Sequence, residues 1–306
     1  MKLLTVRHVT TYRYRQPVSF GEHRMMFRPR DSHDQRLIEA RLVIEPEPVA
    51  LRWIHDVFGN CVALARFEGR SDLLRFDSLI RLDHSAANLL DFEFEEYARD
   101  YPFSYGAEEQ RDLLRLIERQ YLDPERKIDR WAREFVRRDG PTGTRALLEA
   151  MTYAIKDRFI YITRDEPGTQ DPLLTLQLGS GSCRDFALLM METVRSLGLA
   201  ARFVSGYLYV PDKDGPGRVG GGATHAWLEV YLPGAGWVGF DPTNGIVGNR
   251  DLIRVAVVRD PRQAVPLSGS WTGRSSDLLG MTVEVSVTSE EETAPAQPSL
   301  RPKTAG

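Results

Sequence analysis

Apolar and polar positions alternate through much of the first ninety residues. Segments 3–14, 36–44, 51–57, 61–67 and 73–82 are rich in β-branched and aromatic residues and are bounded by turn formers, which predicts short strands. Phe58-Gly59-Asn60 suits a hairpin turn between two of them. So many short strands pack most economically as a β-sandwich. The period then changes. An acidic-aromatic stretch, Asp91-Phe92-Glu93-Phe94-Glu95-Glu96-Tyr97, leads to a helical spacing at Leu113, Leu114, Ile117 and Tyr121 that stops at Asp123-Pro124. Helices are predicted over 128–136 and 144–159, the second with Leu147, Met151, Ala154 and Ile155 on a broad apolar face. Another opens at Cys183, with Phe186, Leu189, Met190, Val194 and Leu197 in its apolar pattern. Strands return at 201–210, 224–232, 236–240 and 252–259. The reading is therefore a β-sandwich over 1–95, a helical connecting segment over 96–143, an α+β region over 144–288 and a disordered tail over 289–306.

Composition narrows the classes of function. The 306 residues, 42% hydrophobic and 27% charged, suffice for two cores. A net charge of -3 gives no electrostatic case for nucleic acid, and Arg137-Arg138 reads as solvated helix surface. No run of 18 apolar residues predicts a membrane span. The start, Met1-Lys2-Leu3-Leu4-Thr5-Val6-Arg7, lacks the apolar core and cleavage site of a signal peptide. With only Cys61 and Cys183, no disulfide is expected, and a reducing, cytoplasmic setting fits. Cys61 opens a predicted strand and is assigned to core packing. Five of the six histidines lie within the first 84 residues without paired spacing, so neither metal nor cofactor is predicted.

The chemistry concentrates around Cys183. Gly179-Ser180-Gly181-Ser182 runs directly into the helix that Cys183 opens. A helix N-terminus favours a thiolate, its free N–H groups can stabilise an oxyanion, and glycines let a substrate approach. A lone cysteine is ordinarily an inert small hydrophobe, so the partners decide. His225, the single histidine beyond residue 84, begins the predicted strand Thr224–Leu232; a Gly-containing turn and the strand after it lead to Asp241-Pro242. An antiparallel pair can bring Asp241 beside His225. Cys183, His225 and Asp241 thus form a candidate set of nucleophile, base and orienting group. Arg184 and Asp185 read as structural support.

These residues carry a resemblance. The blocks GSGSCRDFA (179–187), THAWLEVYL (224–232) and GWVGFDPTNG (236–245), together with 196–207, resemble the transglutaminase-like superfamily of papain-related cysteine enzymes over about 145–260. His8-Val9-Thr10-Thr11-Tyr12-Arg13-Tyr14, Pro17-Val18 and Arg28-Pro29-Arg30 resemble the β-rich N-terminal region of its bacterial type. The resemblance implies an α+β papain-like/transglutaminase-like catalytic core behind an all-β sandwich domain. It implies Cys183 as nucleophile, His225 as general base and acid, and Asp241 as the residue orienting the imidazole. Papain-like enzymes take a second oxyanion donor from an upstream amide: Gln177 lies at the papain-like offset of six residues, and Gln170 is a weaker candidate. Trp227 and Trp237 can shield the thiolate or line the acyl groove, with packing as the default for each. The 211–222 loop can serve as a flap or as a plain connection.

The implied reaction is acyl transfer from a peptide or glutamine amide through a Cys183 thioester. Hydrolysis, as a protease or amidase, is the leading expectation. Transglutaminase or deamidase activity is the alternative, and a non-catalytic peptide-binding module is the non-enzymatic one. The resemblance also implies an ATP-grasp-type pathway partner.

Overall fold

The alternation near the start resolves into six strands, β1 (Lys2–Phe20), β2 (His23–Met25), β3 (Gln35–Glu45), β4 (Ala50–His55), β5 (Cys61–Arg66) and β6 (Ser71–His84). The computed structural model describes residues 2–85, 93–164, 168–210 and 222–290; the 211–221 part of the loop singled out above, residues 91–92 of the acidic-aromatic stretch and the tail from 291 lie outside the described residues. Phe58-Gly59-Asn60 does turn between β4 and β5. Gly59 takes a positive φ of 75°, and the Asp56 carboxylate accepts from the Phe58 and Asn60 N–H groups.

A connecting region follows, with β7 (Asp100–Tyr101), α1 (Ala107–Ile117), α2 (Lys127–Arg133) and β8 (Thr142–Gly143), then α3 (Thr144–Arg158), β9 (Ile160–Tyr161), α4 (Pro172–Leu178), β10 (Ser180–Gly181) and α5 (Cys183–Ser196). Helix α1 stops short of the expected Tyr121. The Gln120 and Tyr121 N–H groups point instead at the buried Glu192 carboxylate, a tertiary acceptor that outcompetes another helical turn. Next comes an antiparallel sheet of β11 (Ala201–Leu208), β12 (Thr224–Leu232), β13 (Gly236–Asp241), β14 (Ile246–Val247) and β15 (Leu252–Val258), in the order β14-β13-β12-β11-β15. Its inner face, including Phe203, Ala226, Leu228 and Val230, buries α5 in the largest core, which α2 and α3 close with Trp131, Leu147, Met151 and Ile155.

The chain then returns to its beginning through β16 (Leu267–Ser268), β17 (Trp271–Thr272) and β18 (Leu278–Glu290). β16 pairs with β2, and β18 pairs antiparallel with β1 from Leu3 to Tyr14. The sandwich therefore has sheets β18-β1-β6-β3 and β16-β2-β5-β4 around Tyr14, Phe20, Met25, Ala63 and Phe76. This corrects the expected boundaries: 278–288 belongs to the sandwich rather than to the α+β region, and Ser289 is ordered, its hydroxyl accepting from Tyr209 at 2.7 Å. The alternation of Val283, Val285 and Val287 was the available signal. The fold class is as read from the sequence, an α+β papain-like core preceded by an all-β sandwich.

Strands β1 and β6 are long enough to serve two cores. Leu74 and Phe76 of β6 face the sandwich interior, while Ile80 and Leu82 pack with Leu4 and Val6 of β1 on Tyr207, Ile253 and Val255, behind the sheet of the second domain. A buried polar link crosses this junction. The His8 imidazole meets Tyr207 Oη at 2.9 Å through Nδ1 and Thr10 Oγ1 at 3.1 Å through Nε2. Burial lowers the His8 pKa to about 4. The unfolded imidazole, near 6.5, takes up a proton that the folded one refuses, so this contribution is whole above pH 6.5 and is lost as the pH falls towards 4. Urea unfolding between pH 7 and 4 should show the native chain losing up to about 3 kcal/mol more than His8→Gln. Parallel curves for the two would show that His8 does not carry the acid sensitivity.

Candidate active site

Three elements converge on the site: the start of α5, the start of β12 and the end of β13. The Cys183 helix begins where it does because Asp185 fastens the turn before it. The Asp185 carboxylate is fully buried and accepts from the Ser182 N–H at 2.8 Å and the Ser182 hydroxyl at 2.9 Å. It also accepts from the Gln170 N–H at 2.6 Å and from the Arg164 guanidinium at 3.1 Å. Gly181 is required by the same packing, since a Cβ there would meet the Asp185 Cβ at 2.8 Å. Arg184 turns the other way, its guanidinium over the Phe203 ring and donating to the Pro261 carbonyl at 2.9 Å. Arg184 and Asp185 thus hydrogen-bond in different directions, each to the framework around the nucleophile turn. The spacing Ser182-x-x-Asp185 is a capping signature that announces the first of these bonds; Arg164 and Gln170 come from a separate segment and leave no local sign.

Cys183 is buried at this helix start, and both cysteines are free thiols. Its N–H belongs to the first turn of α5, where no intrahelical acceptor exists. β12 and β13 are paired with Leu228 opposite Phe240, so the strand start at His225 and the strand end at Asp241 lie together. Nε2 of His225 donates to Asp241 Oδ2 at 2.8 Å, with both side chains fully buried. The other carboxylate oxygen accepts from the Thr243 N–H at 2.9 Å, and Asn244 Nδ2 donates to Oδ2 at 2.9 Å. The remaining imidazole nitrogen, Nδ1, is buried and makes no hydrogen bond of ordinary geometry among the described residues.

The electrostatics follow from this geometry. Burial disfavours the His225 cation, but the Asp241 charge and hydrogen bond, reinforced by Cys183, outweigh it and push the pKa up to about 10. Burial likewise opposes the Asp241 anion, yet His225, Asn244 and the Thr243 N–H hold its carboxyl below the usual range. An imidazole oriented by a buried carboxylate through one nitrogen, with a thiol electrostatically coupled to it, is a proton acceptor and donor of fixed direction.

The remaining candidates separate. Trp227 is fully buried, 6.0 Å from the His225 ring at an interplanar angle of 26°, and clustered with Val204, Leu208 and Leu252. It backs the imidazole instead of lining a groove. Trp237 lies under the Arg202 guanidinium at 4.2 Å. Gln177 is exposed on α4, and the amide that packs against the nucleophile turn is Gln170. Gln170 Nε2 donates to the Ser180 carbonyl at 3.0 Å and to Thr175 Oγ1 at 3.4 Å, which engages both of its N–H groups. Tyr161, which the sequence reading passed over, stands opposite Gly181 in the parallel β9–β10 pair.

The stretch in which cysteine, histidine and aspartate meet is similar to the transglutaminase-like superfamily, and the sandwich ahead of it to a region found with that superfamily in bacteria. The model of the transglutaminase-like superfamily matches residues 129–242, and that of the bacterial transglutaminase-like N-terminal region matches residues 4–83. The superfamily is one of cysteine-dependent enzymes. An uncharacterised protein of Mycobacterium tuberculosis is 28% identical over 302 residues, covering 92% of this chain and 91% of its own length. One of Mycobacterium leprae is 39% identical over 106 residues, 34% of this chain and 37% of that protein. Among solved structures, a candidate cysteine protease of Cytophaga hutchinsonii shares the fold, with a TM-score of 0.69 and 18% identity over 100% of this chain and 94% of its own.

The Asp185 network has a measurable consequence. Asp185→Ala removes four acceptor contacts and leaves the partly exposed Arg164 charge without this partner, so urea unfolding should show a loss of about 2–4 kcal/mol. A variant within about 0.5 kcal/mol of the native chain would show that the turn holds without its carboxylate.

Proposed function

We propose that this protein cleaves peptide or glutamine amides by acyl transfer to Cys183. The observation that carries the reading is the buried 2.8 Å bond from His225 Nε2 to Asp241, which leaves Nδ1 as the nitrogen free to exchange a proton with the thiol. The Cys183 proton passes to His225, and the sulfur attacks the amide carbonyl. Its lone pair forms the S–C bond while the C=O π pair moves to oxygen. When that pair returns, the C–N bond breaks, and the imidazolium gives its proton to the departing amine or ammonia. A thioester remains on Cys183. Water, deprotonated by His225, then resolves it to the acid and the free thiol.

Asp241 holds the imidazole in one tautomer and stabilises its cation, and Trp227 fixes the ring plane from behind. The Cys183 N–H at the head of α5 supports the tetrahedral oxyanion. Hydrolysis is the leading reading, in keeping with the description of the Cytophaga neighbour as a candidate protease. An amine acceptor would make the same thioester a transglutaminase intermediate.

A peptide library incubated with the protein and a fluorescent amine, followed by mass analysis, identifies the acceptor. Shortened peptides are the expected product; a gain of about one mass unit at glutamine would indicate deamidation, and amine adducts would indicate transfer. Cys183→Ala should abolish turnover, and Asp241→Asn should lower it by about 10⁴-fold. The reading fails if Cys183→Ala leaves turnover intact. It fails equally if iodoacetamide alkylates Cys183 near pH 6 no faster than free cysteine and His225→Ala makes no difference.

A further inference from the structure

With Gln177 exposed and the Gln170 amide engaged by Ser180 and Thr175, neither upstream amide supplies a free second donor to an oxyanion at Cys183. A different side chain faces the nucleophile turn. The Ile160 N–H donates to the Gly179 carbonyl at 2.8 Å and the Ile162 N–H to the Gly181 carbonyl at 2.9 Å, so the backbone on both sides of Tyr161 is fastened to the strand that leads into Cys183. Tyr161 sits in register with Gly181. Its ring meets Phe186 edge-on, with centroids 6.5 Å apart. Phe186 lies three residues after Cys183 and therefore shares its face of α5. The ring is thus held against the face of α5 that carries Cys183.

The phenol is also electrically coupled to the site. Burial raises the Tyr161 pKa, the charge at Cys183 raises it further, and a hydrogen bond from Thr163 offsets part of this. With its pKa raised, the phenol keeps its own proton to donate. A half-buried, protonated phenol beside a reacting thiol is a preorganised donor for negative charge that develops there.

We propose that Tyr161 is the second oxyanion donor of the Cys183 site, its O–H paired with the Cys183 N–H on the oxygen of the tetrahedral intermediate. The inference rests on the acyl-transfer reading of Cys183. As the sulfur bonds to the carbonyl carbon and the π pair moves to oxygen, the phenol hydrogen bond shortens onto that oxygen; it relaxes when the pair returns and the leaving group departs. The phenol proton is shared throughout and is not transferred.

Two reactions of the same thiol test it. p-Nitrophenyl acetate acylates a cysteine through a tetrahedral oxyanion and expels p-nitrophenolate, which is followed by absorbance, while the acetyl thioester is located by mass. Iodoacetamide alkylates the same sulfur at a saturated carbon, with displacement of iodide and no oxyanion. Tyr161→Phe keeps the ring on Phe186 and should slow acylation of Cys183 about 10²-fold while alkylation stays within about twofold of the native rate. Equal losses in both reactions would mean that Tyr161 acts through the thiol or the packing, and unchanged acylation would mean that it donates nothing; either result overturns the proposal. A native protein that is alkylated at Cys183 but never acylated there would overturn the acyl-transfer reading itself, and this inference with it.

Discussion

Helix α5 is buried along almost its whole length, with Phe186, Leu189, Met190 and Val194 at or below 1% exposure. A helix enclosed on every side must be covered by separate layers, and every polar group on it must find a partner away from water. The sheet beneath, with Phe203 and Leu228, and the helices around it, with Trp131 and Met151, answer the first demand. The second shapes both ends. At the C-terminal end Glu192 and Arg195 are buried and bonded to each other at 3.0 Å; Arg195 also caps the Leu116 and Ala201 carbonyls, and Arg119 reaches Glu192 from the connecting segment. These bonds draw 96–143 into the same packed unit.

At the N-terminal end the burial is incomplete by design of the chain. Glycine and serine residues replace bulky side chains, the Cys183 N–H at the helix start has no preceding turn to serve, and Asp185 gathers Ser182, Gln170 and Arg164 around one carboxylate. That carboxylate adds directional bonds to the apolar packing of Cys183 in the main core. The imidazole is held by similar means from the opposite side, with a buried carboxylate on one nitrogen and an indole behind the ring. Such a site gains fixed geometry at the expense of solvation, and His225 and Asp241 together offset the cost of each other's burial.

The sandwich takes part in this arrangement. β1 and β6 run past their own core, and their far halves press Leu4, Val6, Ile80 and Leu82 onto the back of the sheet that carries His225. Gly206, opposite His225 in the β11–β12 pair, has no room for a Cβ because the Ile253 carbonyl and the Trp227 ring fill the space. The strand pairing that sets His225 is therefore clamped from both faces, and β18 seals the outer edge of β1.

Much of this was legible along the chain. Alternation marked the strands of the sandwich, 3.6-residue spacing marked α3 and α5, and the glycine-flanked cysteine, the single late histidine and the aspartate before proline announced the candidate triad. These are local properties: a period, a turn former, a spacing between motifs. The places of Gln170, Gln177, Trp227 and Tyr161 around the nucleophile turn were not legible, because offset along a chain does not say which side chains the fold brings together. Nor was the return of 278–290 to β1, a pairing across nearly the whole sequence, although its alternation was visible. Local pattern established the elements and the residue types that the chemistry needs. Tertiary packing alone decided which donors are spent, which carboxylate steadies which turn and which strands close the sheet, since each depends on groups that meet only after distant segments have been brought together.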